Sequence, residues 1–387
     1  MMDRWTYRKL RDVVSFVNDG DWIESRHQSQ SGIRLIQTGN IGDGVFKAKD
    51  DKPHYISEET FSQLGCTEVI EGDCLVSRLP DPVGRACIVP NIGGKMITAV
   101  DCTILRFKPS MLPSFFVYYS RSKHYHREIV NNTTGTTRKR ISRKNLESVS
   151  VPFPPLCEQE RVVAELDLLS GVLNKQMSLL KELDILANSV FYDMFGNPVE
   201  NERGWNSELL GALTTLYNGR AFKPTDWSDS GLPIVRIQNL NNPQAVFNCY
   251  NGFVEEAYLL HGGELLYAWS GTPGTSFGAH IWSGNDAVLN QHIFKVAFDE
   301  TRLTKVYFLY YLNLSVQSLF EKTHGGVGLQ HITKGTLMAQ VVPLPPLSLQ
   351  RLFAEKIDTI EQQKRLINLS IAETRKLFDF TMDKYFG

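Results

Sequence analysis

Two copies of one stretch constrain this chain more than anything else in it. Val151-Pro152-Phe153-Pro154-Pro155-Leu156 opens a segment that closes at Phe195-Gly196. Val342-Pro343-Leu344-Pro345-Pro346-Leu347 opens its counterpart, which closes at Phe386-Gly387. The offset is 191 residues at both ends (151 to 342, 196 to 387), so the copies are equal in length. Inside the first copy, steps of three and four link Leu166, Leu169, Leu173, Gln176, Leu180, Leu183, Ala187, Val190 and Met194. That spacing is a coiled-coil seam with one polar interruption. The second copy holds Ile357, Ile360, Lys364, Ile367, Ile371, Thr374, Phe378, Thr381 and Tyr385 in the same register, a weaker seam. The prolines block helix upstream, and Gly196 followed by Pro198 stops the first rod. A helix over about 157–194 would be roughly 57 Å long. If the seams face each other, the helices are antiparallel and the two halves of the chain are related by a pseudo-two-fold axis. Gln176 then falls opposite Ile367 or Ile371, where it sets register or faces solvent.

The repeat extends beyond the rods. Trp5 and Leu10 match Trp205 and Leu210. Gly32–Ile41 resembles Gly231–Leu240, and Gly72–Ser77 resembles Gly263–Ala268. Gly135, Ile141, Ser142 and Leu146 match Gly326, Ile332, Thr333 and Leu337. The expected order is therefore globule (1–150), rod (151–200), globule (201–341), rod (342–387). Within the globules, Ile33–Gln37 and Ile234–Ile237 read as strands. Ser57-Glu58-Glu59 caps a short helix. Pro113–Ile129 and Leu303–Phe320 carry helical spacing, while Asn131–Arg140 and His324–Gln330 read as exposed loops. The fold class is α+β: two mixed globules separated by two long antiparallel coiled-coil helices.

Chemistry is sparse. The sequence has no GxGxxG, no GxxxxGK[ST], no HExxH and no zinc-spaced Cys/His cluster. Asp50-Asp51-Lys52 reads as a solvated turn, and His124 and His126 as surface residues. The six cysteines form no framework and read as free thiols. No apolar run approaches a membrane span and no signal core opens the chain, so a cytoplasmic location is expected. The net charge of −1 hides an asymmetry. Residues 1–150 carry 22 Lys+Arg against 17 Asp+Glu, residues 151–200 carry 3 against 8, and residues 201–341 carry 9 against 11. An anionic partner should therefore meet local basic surfaces.

The strongest polar constellation is Thr133-Thr134-Gly135-Thr136-Thr137-Arg138-Lys139-Arg140, continuing to Arg143 and Lys144. Hydroxyls and arginines beside glycine suit phosphate contacts, and Arg or Lys can read guanine edges. The alternative is a solvated basic face. The equivalent loop of the second globule ends in Gln330-His331 and Lys334, far less basic but able to hydrogen-bond to bases. Further positions to weigh are Arg78 and Arg85 around a Pro-rich turn, with Trp269-Ser270 in the matching place. Gln291-His292 and Gln238-Asn239 complete the set. For each, a local turn or strand-end role is the competing reading.

At this point the architecture resembles the specificity subunits of type I restriction–modification enzymes. The resemblance rests on V-P-x-P-P-L with Gln159 and again with Gln350, on the G…I-[ST]…L approach to each rod, and on the paired equal-length helices. Leu349 departs from the usual acidic residue, which Glu158 keeps. The resemblance implies a non-catalytic subunit with two target-recognition domains reading the halves of an asymmetric site in double-stranded DNA. It implies that the rods act as a ruler of at most about 17 base pairs at about 3.4 Å each, and that two methyltransferase subunits dock on them. Restriction/translocase subunits would join the complex. S-adenosylmethionine and ATP/Mg²⁺ would belong to partner subunits, with no cofactor or metal in this chain and no membrane contact. Two alternatives stay open: an S-like subunit of a related phage-defence methylation system, and a coiled-coil protein scaffold.

Overall fold

The computed structural model describes residues 5–135, 139–242, 245–271, 277–316, 318 and 330–387, with backbone alone at 271, 330 and 331. The chain divides into two compact units, Met1–Met177 with Leu369–Gly387 and Ser178–Asn368. The boundary between them thus falls within both long helices, Leu156–Phe195 and Leu347–Phe386, each of 40 residues. At about 1.5 Å per residue each is roughly 60 Å long.

In the first unit, strands Val14–Asp19, Cys102–Phe107, Cys74–Ser77 and Ala86–Ile88 form an antiparallel sheet in that order. A second sheet orders Gln28–Ser29, Tyr55–Ile56, Ile33–Ile36 and Met96–Thr98, its last pair parallel. Between them lie Ile36, Leu75, Cys87, Val89 and Ile104, all buried. The short helix Glu58–Leu64 is capped by the Ser57 hydroxyl and ended by Gly65 at φ 60°. The helical segment 113–129 is two helices, Pro113–Ser120 and Lys123–Asn131. Ser122 makes the break, because its hydroxyl accepts from the Tyr125 N–H and starts a new helix. All six cysteines are free; burial pushes the Cys87 and Cys102 thiols up to about 12.

The second unit repeats this plan with different residues. Thr214–Asn218, Ile293–Phe298, Leu265–Ala268 and Gly278–Ile281 form the antiparallel sheet. Cys249–Tyr250, Leu232–Val235, Ala287–Leu289 and Leu259–Leu260 form the other, again with one parallel pair. Both units tie their ends together in the same way. Tyr7–Lys9 pairs with Ser150–Pro152, and Ser207–Leu209 pairs with Val341–Pro343. The strand that opens each rod motif is therefore stitched to the start of its own domain.

Within each unit the helix segments run antiparallel. In the first, Lys384 and Tyr385 both meet the Glu165 carboxylate, whereas Gln176 meets Ser370 and Thr374. The Tyr385 hydroxyl, then Lys384, hold that carboxylate below its usual range. Leu166 is buried with Phe378 and Met382; Leu169 and Leu173 pack against the same core. Ile371 is also buried. In the second unit, Lys364 bridges Asp184 at 2.6 Å, and Phe191 packs edge-on against Phe353. Leu183 packs with Ile357 and Ile360. Leu180 and Ile367 are half-buried.

Gln176 finds hydroxyl partners beside Ile371. Its amide donates to the Ser370 hydroxyl at 2.7 Å and more weakly to Thr374 at 3.4 Å, while its carbonyl oxygen is buried without a partner among the described residues. Gln176→Leu should therefore raise thermal stability slightly, by up to about 1 kcal/mol, as burying an apolar seam residue does. A melting temperature that falls would show that the polar layer holds the pairing together.

Candidate nucleic-acid interface

In the first domain the surface gathers where strand Cys74–Ser77 ends at Arg78. The Arg78 carbonyl accepts from the Ile141 N–H, which anchors the basic segment to the sheet. Thr133–Thr134 pairs with Arg140–Ile141 to close that segment into a short hairpin. Lys139 and Arg140 are exposed at its tip side, and Lys144 is exposed on the helix that follows. Ser142 caps this helix by accepting from the Asn145 N–H. Arg143 reaches Asn18 at 3.4 Å and Glu147 at 3.4 Å. Thr136, Thr137 and Arg138 lie outside the described residues. A groove of about 330 Å³ opens beside the hairpin, lined by Pro80–Val83, His126, Val130 and Lys139 among others.

Beneath the exposed cations lies a network absent from the sequence reading. Arg140 pairs with Asp101 at 2.9 Å. Arg78 pairs with Asp19 at 3.3 Å and donates to the Val100 carbonyl; Asp19 also accepts from Thr103. Arg85 donates to four backbone carbonyls, those of Thr38, Ile41, Leu79 and Pro82. Both Arg78 and Arg85 are buried, and burial lowers the pKa of each guanidinium. Both arginines, expected among the DNA-contacting residues, are built into the framework of the domain. Their donors point into the domain, where they fix the loops that carry the exposed groups.

The second domain offers other chemistry on the same scaffold. Trp269 takes the place of Arg78: its carbonyl accepts from the Ile332 N–H, as Arg78 does from Ile141. The Trp269 ring lies 5.4 Å from His292 and is stacked on Phe294 at 5.7 Å. His292 stands where the first domain has Asp101, one residue before the strand position that pairs with Ala268 or Ser77. Ser270 is buried and pairs through its backbone with His331, and Gly271 with Gln330. The Gln330 and His331 side chains lie outside the described residues. Gln291 is exposed and its amide lies 3.2 Å from the His292 ring. The Lys334 ammonium donates to the Leu216 carbonyl at 2.9 Å.

Gln238 and Asn239 part company. Gln238 is exposed, but Asn239 is buried and builds a turn. It accepts from the Arg236 N–H and donates to the Ala245 carbonyl. Asn40 does the same in the first domain, accepting from Gln37 and donating to Lys47. Asn239, expected among the base-contacting residues, is thus buried as a turn former. The residues missed by sequence reasoning are the acids, Asp19 and Asp101. Their only signal is register: Asp101 directly precedes the strand beside the one that runs into Arg78, and Asp19 ends the strand on that neighbour's far side. Among the described residues no group of three or more His, Cys, Asp or Glu side chains could hold a metal ion, and no helix is long and apolar enough to cross a membrane.

A family described as "Type I restriction modification DNA specificity domain" matches residues 2–182 and 202–374. The type I restriction enzyme EcoBI specificity subunit of Escherichia coli is 29% identical over 162 residues, 41% of this chain and 33% of that protein. The chain therefore matches about a third of that relative's length. The MjaVIII specificity subunit of Methanocaldococcus jannaschii is 24% identical over 297 residues, 70% of this chain and 68% of that one. Among solved structures, one described as showing assembly and conformational transition of a type I R-M system aligns with a TM-score of 0.58 at 18% identity, covering 99% of this chain and 97% of the other. The S subunit from M. genitalium aligns at 0.55 and 14% identity, covering 99% and 96%.

Proposed function

This chain belongs to the type I restriction–modification DNA specificity family, and on that footing we propose that it is the DNA-recognition subunit of such a complex, itself non-catalytic. Each domain reads one half of a split, asymmetric site in double-stranded DNA. One observation carries the reading. The antiparallel sheets of the two units share one strand order but present unlike side chains at matching positions: Asp101, which holds the exposed Arg140, stands in one where His292 lies beside Trp269 in the other. A shared frame with divergent contact chemistry suits two different half-sites, since phosphate contacts position and base contacts specify. Arg140, held by Asp101, is preorganised for a guanine edge; Gln291 suits adenine.

The further parts of the reading concern partners. Two methyltransferase subunits would dock along the 40-residue helices, and the helices would set the gap between half-sites. Restriction/translocase subunits would complete the assembly. S-adenosylmethionine and ATP/Mg²⁺ would be bound by those subunits. The pseudo-symmetry of the chain supports two docking places, because each unit contributes an equivalent stretch of paired helix.

Exchanging residues 1–150 for the corresponding domain of another specificity subunit should change one half of the methylated motif. The other half and the gap should stay as they were. Methylation mapping in cells that carry the exchanged gene and its partner genes reads this directly. A motif that changes in both halves, or in neither, would sink the modular reading.

A further inference from the structure

The second domain has to meet DNA with few cations, 9 Lys+Arg against 11 Asp+Glu over residues 201–341. Most of them are engaged. Lys295, Lys305 and Lys334 donate to the carbonyls of Leu259, Gly263 and Leu216, and Arg302 to the Glu208 carboxylate. Arg203 donates to the Asp193 carbonyl. Of the four arginines in this segment only Arg302 has a carboxylate partner among the described residues; of the other three, Arg220 and Arg236 lie on aromatic rings. The Arg220 guanidinium sits 4.6 Å from the centre of the Tyr250 ring and 5.3 Å from that of Phe222. One of its amino groups donates to the Tyr250 hydroxyl at 2.9 Å and to the Phe253 carbonyl at 3.2 Å. Arg236 lies 5.5 Å over Trp227 and donates to Asn248, next to the strand that carries Tyr250.

Beside Arg220, Phe253 is 85% exposed, an apolar ring left in water next to a cation. The cluster is continuous with the surface already described. The Arg220 carbonyl accepts from the Gln291 N–H, and the Arg220 N–H donates to the Leu289 carbonyl. Gln291 leads to His292 and Trp269. The first domain has no such group: Asp21 makes the matching bridge to Ala99, and its carboxylate accepts from the Thr67 N–H.

We propose that Arg220, with Phe222, Tyr250 and Phe253, is a cation–aromatic DNA contact of the second domain. Arg220 takes a backbone phosphate and Phe253 covers the adjacent sugar and base. A guanidinium held against two rings is weakly hydrated and keeps a fixed fork, which favours phosphate over water. Two edges of the fork, Nε and the second amino group, have no described partner and remain for the ligand. The ring of Phe253 supplies the sequence-tolerant apolar face that nucleotides stack on. The proposal rests on the DNA-recognition reading above.

The test is DNA affinity against salt, measured on the full chain in the complex it is purified in, with a duplex carrying its mapped site. Arg220→Gln should weaken binding roughly ten-fold at 0.1 M salt and reduce the log–log salt slope by about 0.9, the loss of one phosphate contact. Arg220→Lys should keep the slope. Phe253→Ala should weaken binding about five-fold with the slope unchanged. Base preference in the first half-site should not move with any of them. Unaltered affinity and slope for Arg220→Gln would overturn the contact, as would a slope lost in Arg220→Lys together with a lowered melting temperature. A wild-type complex whose binding shows no salt dependence would overturn the DNA reading beneath it as well.

Discussion

Replacing Arg85 with methionine should destabilise the first unit by about 3–5 kcal/mol, the range for removing one side of a buried charged interaction. The guanidinium is 7% exposed and donates to four carbonyls on two separate turns, Thr38 and Ile41 on one, Leu79 and Pro82 on the other. No carboxylate balances it within ion-pair distance among the described residues. Methionine fills much of the space and supplies no donor, so four carbonyl oxygens lose their partner together. Hydrogen bonds to charged donors contribute about 1.5–3 kcal/mol each, and the turns can recover only part of that by moving toward water. Lysine would rescue poorly, because an ammonium cannot span four acceptors laid out for a planar fork. The measurements are thermal unfolding and hydrogen exchange at residues 38–41 and 79–86. A loss below about 1 kcal/mol, with exchange unchanged, would mean that the turns hold without the clamp. The same variant should blur the first half of the methylated motif and leave the second intact, since the matching position in the second unit is Gly278, with no guanidinium to lose.

The Arg85 clamp shows where sequence reasoning stops, since nothing local in the chain announces its four carbonyl partners. The rods were legible because their information is local and periodic: leucines at steps of three and four, prolines before, glycine after. The internal repeat was legible for a similar reason, and it carried the correspondence between strands Ile33–Ile36 and Leu232–Val235 with it. The side-chain direction of an arginine is not local. Arg78 and Arg140 are both charged residues near turns, yet one is buried on Asp19 and the other half-exposed on Asp101. Which way each faces depends on strand register across the sheet, not on its neighbours in the chain. Gln176 was legible as to place but not as to partner: the seam spacing puts it opposite the region of Ile367 or Ile371, and the hydroxyls that meet its amide there are those of Ser370 and Thr374. The chemistry of the basic segment was legible as composition only, and Thr136, Thr137 and Arg138 stay outside the described residues.

The glutamine three residues after V-P-x-P-P-L shows the opposite case, a motif whose physical reason only the structure supplies. Gln159 is fully buried at the start of the long helix. Its carbonyl accepts from the Leu112 N–H at 2.9 Å, and its amide donates to the carbonyls of Ser110 at 3.0 Å and Pro154 at 2.9 Å. Gln350 repeats this with Thr304 at 2.7 Å and with Arg302 and Pro345, each at 2.9 Å. Only an amide offers one acceptor and two donors on a single tip, so Glu, Leu or Met cannot substitute. Gln159→Leu should lower the stability of the first unit by about 3–5 kcal/mol, because it strands one N–H and two carbonyls in a dry site. Gln350→Leu should do the same to the second unit alone. Each substitution also unfastens a long helix from the turn ahead of its own domain's aromatic helix, Pro113–Ser120 or Lys305–Leu314. Hydrogen exchange should therefore rise at 108–113 in one variant and at 302–305 in the other, with the opposite unit unchanged. Exchange that rises in both units from either substitution would mean that the paired helices, and not the glutamines, hold each domain to its rod.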